Sequence, residues 1–166
     1  MKKFLFSVCL TLISAAAFAQ QGEMTVGGNL SYGTDAEMLG IGPKFQYRID
    51  ETWRGEASFT YFLEKNDATA YDFNANVHYL IPIVSDLTLF PLAGLSYYNW
   101  KADVDYIDID GHHRTASSSD GKLGLNLGCG IEYPITDKLK ATGETKYQYI
   151  NKADQLVFTV GLTWKL

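Results

Sequence analysis

The stretch QLVFTVGLTWKL, residues 155–166, decides the fold. Every second residue from Leu156 through Phe158, Val160, Leu162 and Trp164 to Leu166 is apolar, and between them stand Val157, Thr159, Gly161, Thr163 and Lys165. Successive side chains of a strand point to opposite faces, so a period of two gives one apolar face and one small or polar face. An apolar face of this length needs an apolar cover. The hydrocarbon of a bilayer would supply one, and so would the inside of a soluble, ligand-binding barrel.

Working outward from that strand, the same alternation recurs along the chain. Met24, Val26, Leu30 and Tyr32 oppose Thr25, Gly27, Asn29 and Ser31; Leu39, Ile41, Pro43, Phe45 and Tyr47 oppose Gly40, Gly42, Lys44, Gln46 and Arg48. Trp53, Ala57, Phe59, Tyr61 and Leu63 oppose Arg54, Glu56, Ser58 and Thr60, and Tyr71, Phe73, Ala75, Val77 and Tyr79 oppose Asp72, Asn74, Asn76 and His78. A fifth segment, Leu87 to about Trp100, is apolar on both faces, with Leu89, Ala93, Leu95 and Tyr97 assigned outward. Beyond a polar loop, Lys101 to Gly121, Leu123, Leu125, Leu127, Cys129, Ile131 and Tyr133 oppose Lys122, Gly124, Asn126, Gly128, Gly130 and Glu132. Leu139, Ala141, Tyr147 and Tyr149 then oppose Lys140, Thr142, Glu144, Lys146 and Gln148. With the last stretch this makes eight strands.

The hairpin ends repeat as well: YLIPIVSD at 79–86, YPITD at 133–137 and YRID at 47–50. These three turns are short, whereas those at the opposite end run from four residues to about twenty, the pattern of an up-and-down barrel with one plain and one elaborated rim. Laid alternately up and down, the strands sort their aromatics by height. Tyr47, Trp53, Tyr79, Tyr133 and Trp164 gather at the short-turn end; Tyr32, Tyr61, Tyr71, Tyr97, Tyr147 and Tyr149 gather at the other. Rings that are half apolar and half wet belong at the two interfaces of a membrane, and strands of about 9 to 11 residues suffice to cross one. A soluble lipocalin-like barrel gives no reason for such sorting. The bilayer reading is therefore preferred: an all-β, eight-stranded antiparallel up-and-down transmembrane β-barrel.

The chain opens with Lys2 and Lys3, an apolar run from Phe4 to Ile13 and the small-residue site Ala17-Phe18-Ala19, which reads as a secretory signal peptide over 1–19 ahead of a barrel domain over 20–166. Its apolar run is shorter than the roughly 20 residues of a spanning helix. Losing the two lysines takes the net charge from −5 to −7, an acidic balance that excludes nucleic acid as a partner. Cys9 leaves with the leader, Cys129 is then alone, and a disulfide framework is excluded.

On this facing the interior receives Lys44, Arg48, Arg54, Lys122, Lys140, Lys146 and Lys165 with Glu56, Asp72, Glu132 and Glu144. Buried opposite charges must pair, and a structural ion-pair filling is expected from Lys44, Arg48, Arg54, Glu56, Glu132, Lys140, Glu144 and Lys146. Arg48, Arg54 and Glu56 share the short-turn end of neighbouring strands, and Glu132 and Lys140 flank one hairpin. The sharper alternative is a narrow gated path for small ions; an open diffusion pore needs about 16 strands. His78 faces inward with no serine elbow or metal-ligand pair beside it, and reads as a hydrogen-bonded interior histidine. His112, His113 and Ser117 to Ser119 offer nucleophile and base types on a loop with nothing to orient them. No catalytic, cofactor or metal site is assigned. The acidic run Asp103 to Gly111 lacks the spacing and bidentate glutamate of a calcium loop and reads as a solvated acidic loop, the alternative being a site for a divalent cation shared with lipopolysaccharide.

Alternating strands, short Asp-bearing turns, inward Lys, Arg and Glu and the amphipathic final strand together resemble the outer-membrane β-barrel family, whose members include outer-membrane protein X and the transmembrane domain of outer-membrane protein A. That resemblance implies a monomer in the outer membrane of a Gram-negative bacterium, in contact with its lipids and lipopolysaccharide. It also implies insertion by the barrel assembly machinery, with Phe158, Leu162, Trp164 and Leu166 carrying the assembly signal. The expected role is structural, surface-interacting through Lys101–Gly121, or that of a narrow channel. A lipid-modifying barrel enzyme is the alternative from another class.

Overall fold

The computed structural model describes residues 22–166 apart from 36, 66–67, 85, 108–112 and 152, and of 65, 102–107 and 113–119 it describes the backbone. The signal peptide expected over 1–19 lies outside these residues. Nine strand segments run in order: β1 (Met24–Gly33), β2 (Met38–Arg48), β3 (Trp53–Lys65), β4 (Ala68–Tyr79), β5 (Ile81–Val84), β6 (Leu87–Ile107), β7 (His113–Pro134), β8 (Leu139–Ile150) and β9 (Gln155–Lys165). Neighbours pair antiparallel, β9 closes on β1 and β4 on β6. The four residues of β5 continue the line of β4 along β6, so eight staves make a closed barrel. Among the described residues there is no helix.

Alternation sets every facing. In the β1–β9 seam, Val26 lies opposite Trp164, Leu30 opposite Val160 and Tyr32 opposite Phe158, all six exposed on the outer surface. The intervening pairs, such as Thr25 with Lys165 and Ser31 with Thr159, turn inward. In β6, where both faces are apolar, Ala93, Leu95 and Tyr97 are exposed as expected, with Leu89 half-buried on the same side, while Phe90, Leu92, Ser96 and Tyr98 are buried. The inner glycines let strands approach closely: a Cβ on Gly42 would collide with the carbonyl oxygen of Phe59.

Apolar side chains also occupy the inside of the barrel, at its two ends. Met38, Phe62, Ala70, Tyr98 and Ile150 cluster at the long-loop end, and Leu80, Phe90 and Leu92 at the short-turn end. Polar side chains fill the height between them. Two short turns are built alike, which explains their repeated sequence. Asp50 Oδ1 accepts from Thr52 and Trp53 backbone N–H, both at 2.7 Å, and Thr136 Oγ1 accepts from those of Lys138 and Leu139 at 3.3 and 3.0 Å.

Two expectations need correction. Lys101–Gly121 is not a long loop: β6 and β7 continue as a ladder from Lys101↔Ser119 to Ile107↔His113, leaving a connection of only 108–112. Pairing of β6 with β4 ends at Ala68↔Ala102, and that of β7 with β8 at Gly124↔Ile150, so the hairpin rises past the rim. Beyond the last pairings with β4 and β8 a strand has no lipid to face, so its sequence need not alternate between apolar and polar residues. Beyond Ile81, expected to end the fourth strand, Pro82 and Val84 of the expected turn pair with β6 instead.

Candidate functional site

Among the described residues, titratable side chains from many strands gather in the polar lumen. Its lower part hangs on Arg54 of β3, which reaches across the barrel to Glu132 of β7. Glu132 also takes Lys140 of β8 at 3.2 Å; Lys140 contacts Glu23 at 3.0 Å, and Glu23 takes Lys165 of β9 at 2.8 Å. Charges therefore alternate in sign from mid-lumen to the short-turn rim. Burial by itself would raise the Glu23 carboxyl, but the hydrogen bonds from Lys165 and Lys140 outweigh it and, with the charges of Lys140 and Arg48, hold it at about 2. On its other side Arg54 donates from Nε and Nη2 to His78 Nδ1, at 3.3 and 3.1 Å. The imidazole stacks on Phe90 with centroids 4.7 Å apart, and the Arg54 guanidinium lies 4.9 Å from the centre of the same ring.

Above this, Lys44 of β2 sits between Glu56 of β3, at 3.3 Å, and Glu144 of β8. Gln46 and Asn76 donate to Glu56 at 2.9 and 3.3 Å, and Thr25 donates to Gln46 at 3.0 Å. A layer of amides follows. Asn126 donates to Asn74 and Asn76, both at 2.8 Å, Lys146 donates to Asn74 at 2.7 Å, and Gln148 donates to Asp72 at 2.8 Å. Gln155 donates to Gln148 at 2.8 Å and carries the network to the outer end of β9. Paired charges and amides of this kind supply one another with hydrogen-bond partners across the lumen.

Of the expected interior residues, Lys44, Glu56 and Glu144 meet, as do Arg54, Glu132 and Lys140. The grouping of Arg48 with Arg54 and Glu56 does not form. Arg48 and Arg54 are register partners on adjacent strands, two cations side by side, so Arg54 takes its carboxylate from the opposite wall and Glu56 takes Lys44. Lys122 sits at the outer rim, 3.3 Å from Asp120. Asp72 and His78 share a face without meeting, Asp72 accepting from Asn74 and Gln148. Tyr32, Trp53, Tyr61, Tyr79, Tyr133, Tyr147, Tyr149 and Trp164 are exposed outside, with Tyr47 and Tyr71 partly covered, and Trp53 packs edge-on against Tyr79 at 5.0 Å. Phe158, Leu162, Trp164 and Leu166 line the outer surface of the final strand. His112, and the side chains of His113, Ser117–Ser119 and the acidic run Asp103–Asp110, lie outside the described residues. Glu23, Asn74, Asn126 and Gln148 complete the site without having been singled out in the sequence. The inward face of β4, with Asp72, Asn74, Asn76 and His78 all polar, was the available sign of an amide layer.

Residues 5–165 match the family described as outer membrane protein beta-barrel domain. No curated protein sequence matches the chain. Among solved structures, the N-terminal barrel domain of Pseudomonas aeruginosa OprF is 15% identical and superposes with a TM-score of 0.67, covering 88% of this chain and 100% of that one. A major outer membrane protein from Thermus thermophilus gives 10% and 0.68, covering 89% and 100%. Ail, the attachment invasion locus protein of Yersinia pestis, gives 15% and 0.60, covering 87% and 97%. At these identities the likeness concerns the fold.

Proposed function

The chain belongs to the outer membrane protein β-barrel family, and from that premise we propose a monomeric barrel of a Gram-negative outer membrane, closed to general diffusion, that meets its partners through the β6–β7 hairpin. The observation that carries this reading is the ladder continuing from Lys101↔Ser119 to Ile107↔His113 beyond the last pairings with β4 and β8. From 113 to 123 β7 has no strand on its β8 side, so a row of backbone donors and acceptors is open to an extended segment of another molecule. Closure of the lumen is supported by its eight staves, its cross-lumen ion pairs and the apolar clusters at both ends. An exposed element raised on a rigid scaffold is where recognition usually resides.

The test uses protein refolded into nanodiscs beside a variant in which residues 103–119 are replaced by Asn-Gly. Both should show the heat-dependent gel mobility of a closed barrel, and neither should pass sugars in a liposome-swelling assay. On arrays of immobilised polypeptides and glycans only the full-length hairpin should bind. Equal binding by the shortened variant, or solute flux at porin-like rates, would sink the reading. Fatty-acid release from phospholipid that vanishes in His78→Ala would favour the barrel enzyme instead.

A further inference from the structure

We infer that His78 is a proton-operated latch on Arg54: the neutral imidazole holds the guanidinium against the lumen wall, and a proton on Nδ1 releases it. The geometry leaves one tautomer. Arg54 has donors and no acceptor and stays charged, so its two contacts at 3.3 and 3.1 Å require a lone pair on Nδ1 and place the ring proton on Nε2. Nε2 makes no hydrogen bond of its own, although the ring is fully buried; the Glu56 carboxylate stands 3.9 Å away.

A second proton can enter only at Nδ1, where two N–H groups already point. It would exchange two hydrogen bonds for repulsion between an imidazolium and a guanidinium. The groups that face the ring would share out the new charge: Arg54 and Glu56 from β3, Lys44 from β2 and Glu132 from β7, with the uncharged Phe90 from β6. Glu56 is the nearest carboxylate and would draw the Nε2 side, while the Phe90 face tolerates a cation stacked on it. The ring therefore has reasons to stay, and Arg54, still tethered to Glu132, has reasons to leave. Arg54 lies over Phe90, in the apolar cluster with Leu80 and Leu92 that occupies the short-turn end. Acid would thus loosen the barrel at that end first.

The experiment is nuclear magnetic resonance on the full barrel in micelles, labelled with ¹⁵N in histidine and arginine. The His78 ring is identified by its contacts with Phe90. At pH 7 its Nδ1 should resonate as an unprotonated nitrogen and its Nε2 should carry a directly bonded proton. On acidification the Arg54 Nε–H signal should move with the same midpoint as His78, and in His78→Asn it should not move over that range. A proton on Nδ1 at pH 7 would overturn the inference. So would an Arg54 signal that ignores the His78 titration, or one that follows a carboxylate midpoint, as expected if Glu132 alone governed it. Should His78→Asn fail to refold, coincidence or separation of the two wild-type midpoints still decides.

Discussion

Replacing Lys44 by methionine should be the most damaging single change in the lumen. The ammonium is the shared counter-ion of two carboxylates, Glu56 at 3.3 Å and Glu144. At an effective dielectric of about 20, two charges at that 3.3 Å separation attract by roughly 5 kcal/mol before desolvation is counted. Much of this is offset by the cost of drying the ions, so the whole cluster adds little to stability relative to an apolar filling. Removing one member is different, because it leaves buried charge without compensation, at about 3–5 kcal/mol. Lys44→Met should lose that much, and Lys44→Met with Glu56→Gln and Glu144→Gln should return to within about 1–2 kcal/mol of wild type. Urea unfolding in detergent, followed by tryptophan fluorescence and by unboiled gel mobility, would measure both. A single variant within about 1 kcal/mol of wild type would refute the reasoning, and so would a triple variant no more stable than the single one.

Gly42 faces inward against the Phe59 carbonyl and Gly28 faces outward with its nearest neighbour, the Gly42 oxygen, 3.8 Å from a Cβ position. In the same unfolding assay Gly42→Ala should cost about 1–3 kcal/mol, whereas Gly28→Ala should be neutral or gain up to about 1 kcal/mol. Glu23 has its carboxyl lowered from 4.5 to about 2, so its contribution is complete above pH 4.5 and is lost as pH falls towards 2. Glu23→Gln should cost about 1 kcal/mol at neutral pH, allowing for solvent screening at the rim, and should flatten the stability profile in that acid window; an unchanged profile would refute the lysine clamp. The three tryptophans can be kept one at a time. In liposomes of lipids brominated at different depths, Trp53 and Trp164 should be quenched most by bromine near the headgroup, and strongest quenching at the chain ends would contradict a girdle.

What the chain order made legible was direction, and what it hid was partnership across the barrel. Alternation told which way each side chain points, because the pleat repeats every two residues whatever the neighbouring strand does. Even in β6, apolar on both sides, Ala93, Leu95 and Tyr97 turned out on the outer face. Partners across the lumen depend instead on how far each strand is staggered when the sheet closes. Arg54 and Glu132 are seventy-eight residues apart and Lys44 and Glu144 one hundred, on strands that never pair. Within a pair of adjacent strands the eye groups Arg48, Arg54 and Glu56; closure gives Arg54 to the opposite wall.

The apolar residues inside the barrel were hidden for a related reason. A rule that places apolar side chains in lipid has no use for Met38, Phe62 and Ile150, or for Leu80, Phe90 and Leu92, on the inner face. Yet their position follows from the same physics as the ion pairs between them. At each end of a narrow lumen water is close at hand, and a charge pair there, such as Glu23 with Lys140 and Lys165, is screened and gains less than a pair in the middle. Apolar side chains at those two levels stand between solvent and the middle of the lumen, and the contacts of Lys44 and Arg54 gain in strength the less water reaches them. His78 lies where the two regimes meet, its ring face on Phe90 and its nitrogens between Arg54 and Glu56. A proton there would act on the Arg54 contact and on the apolar cluster around Phe90 together.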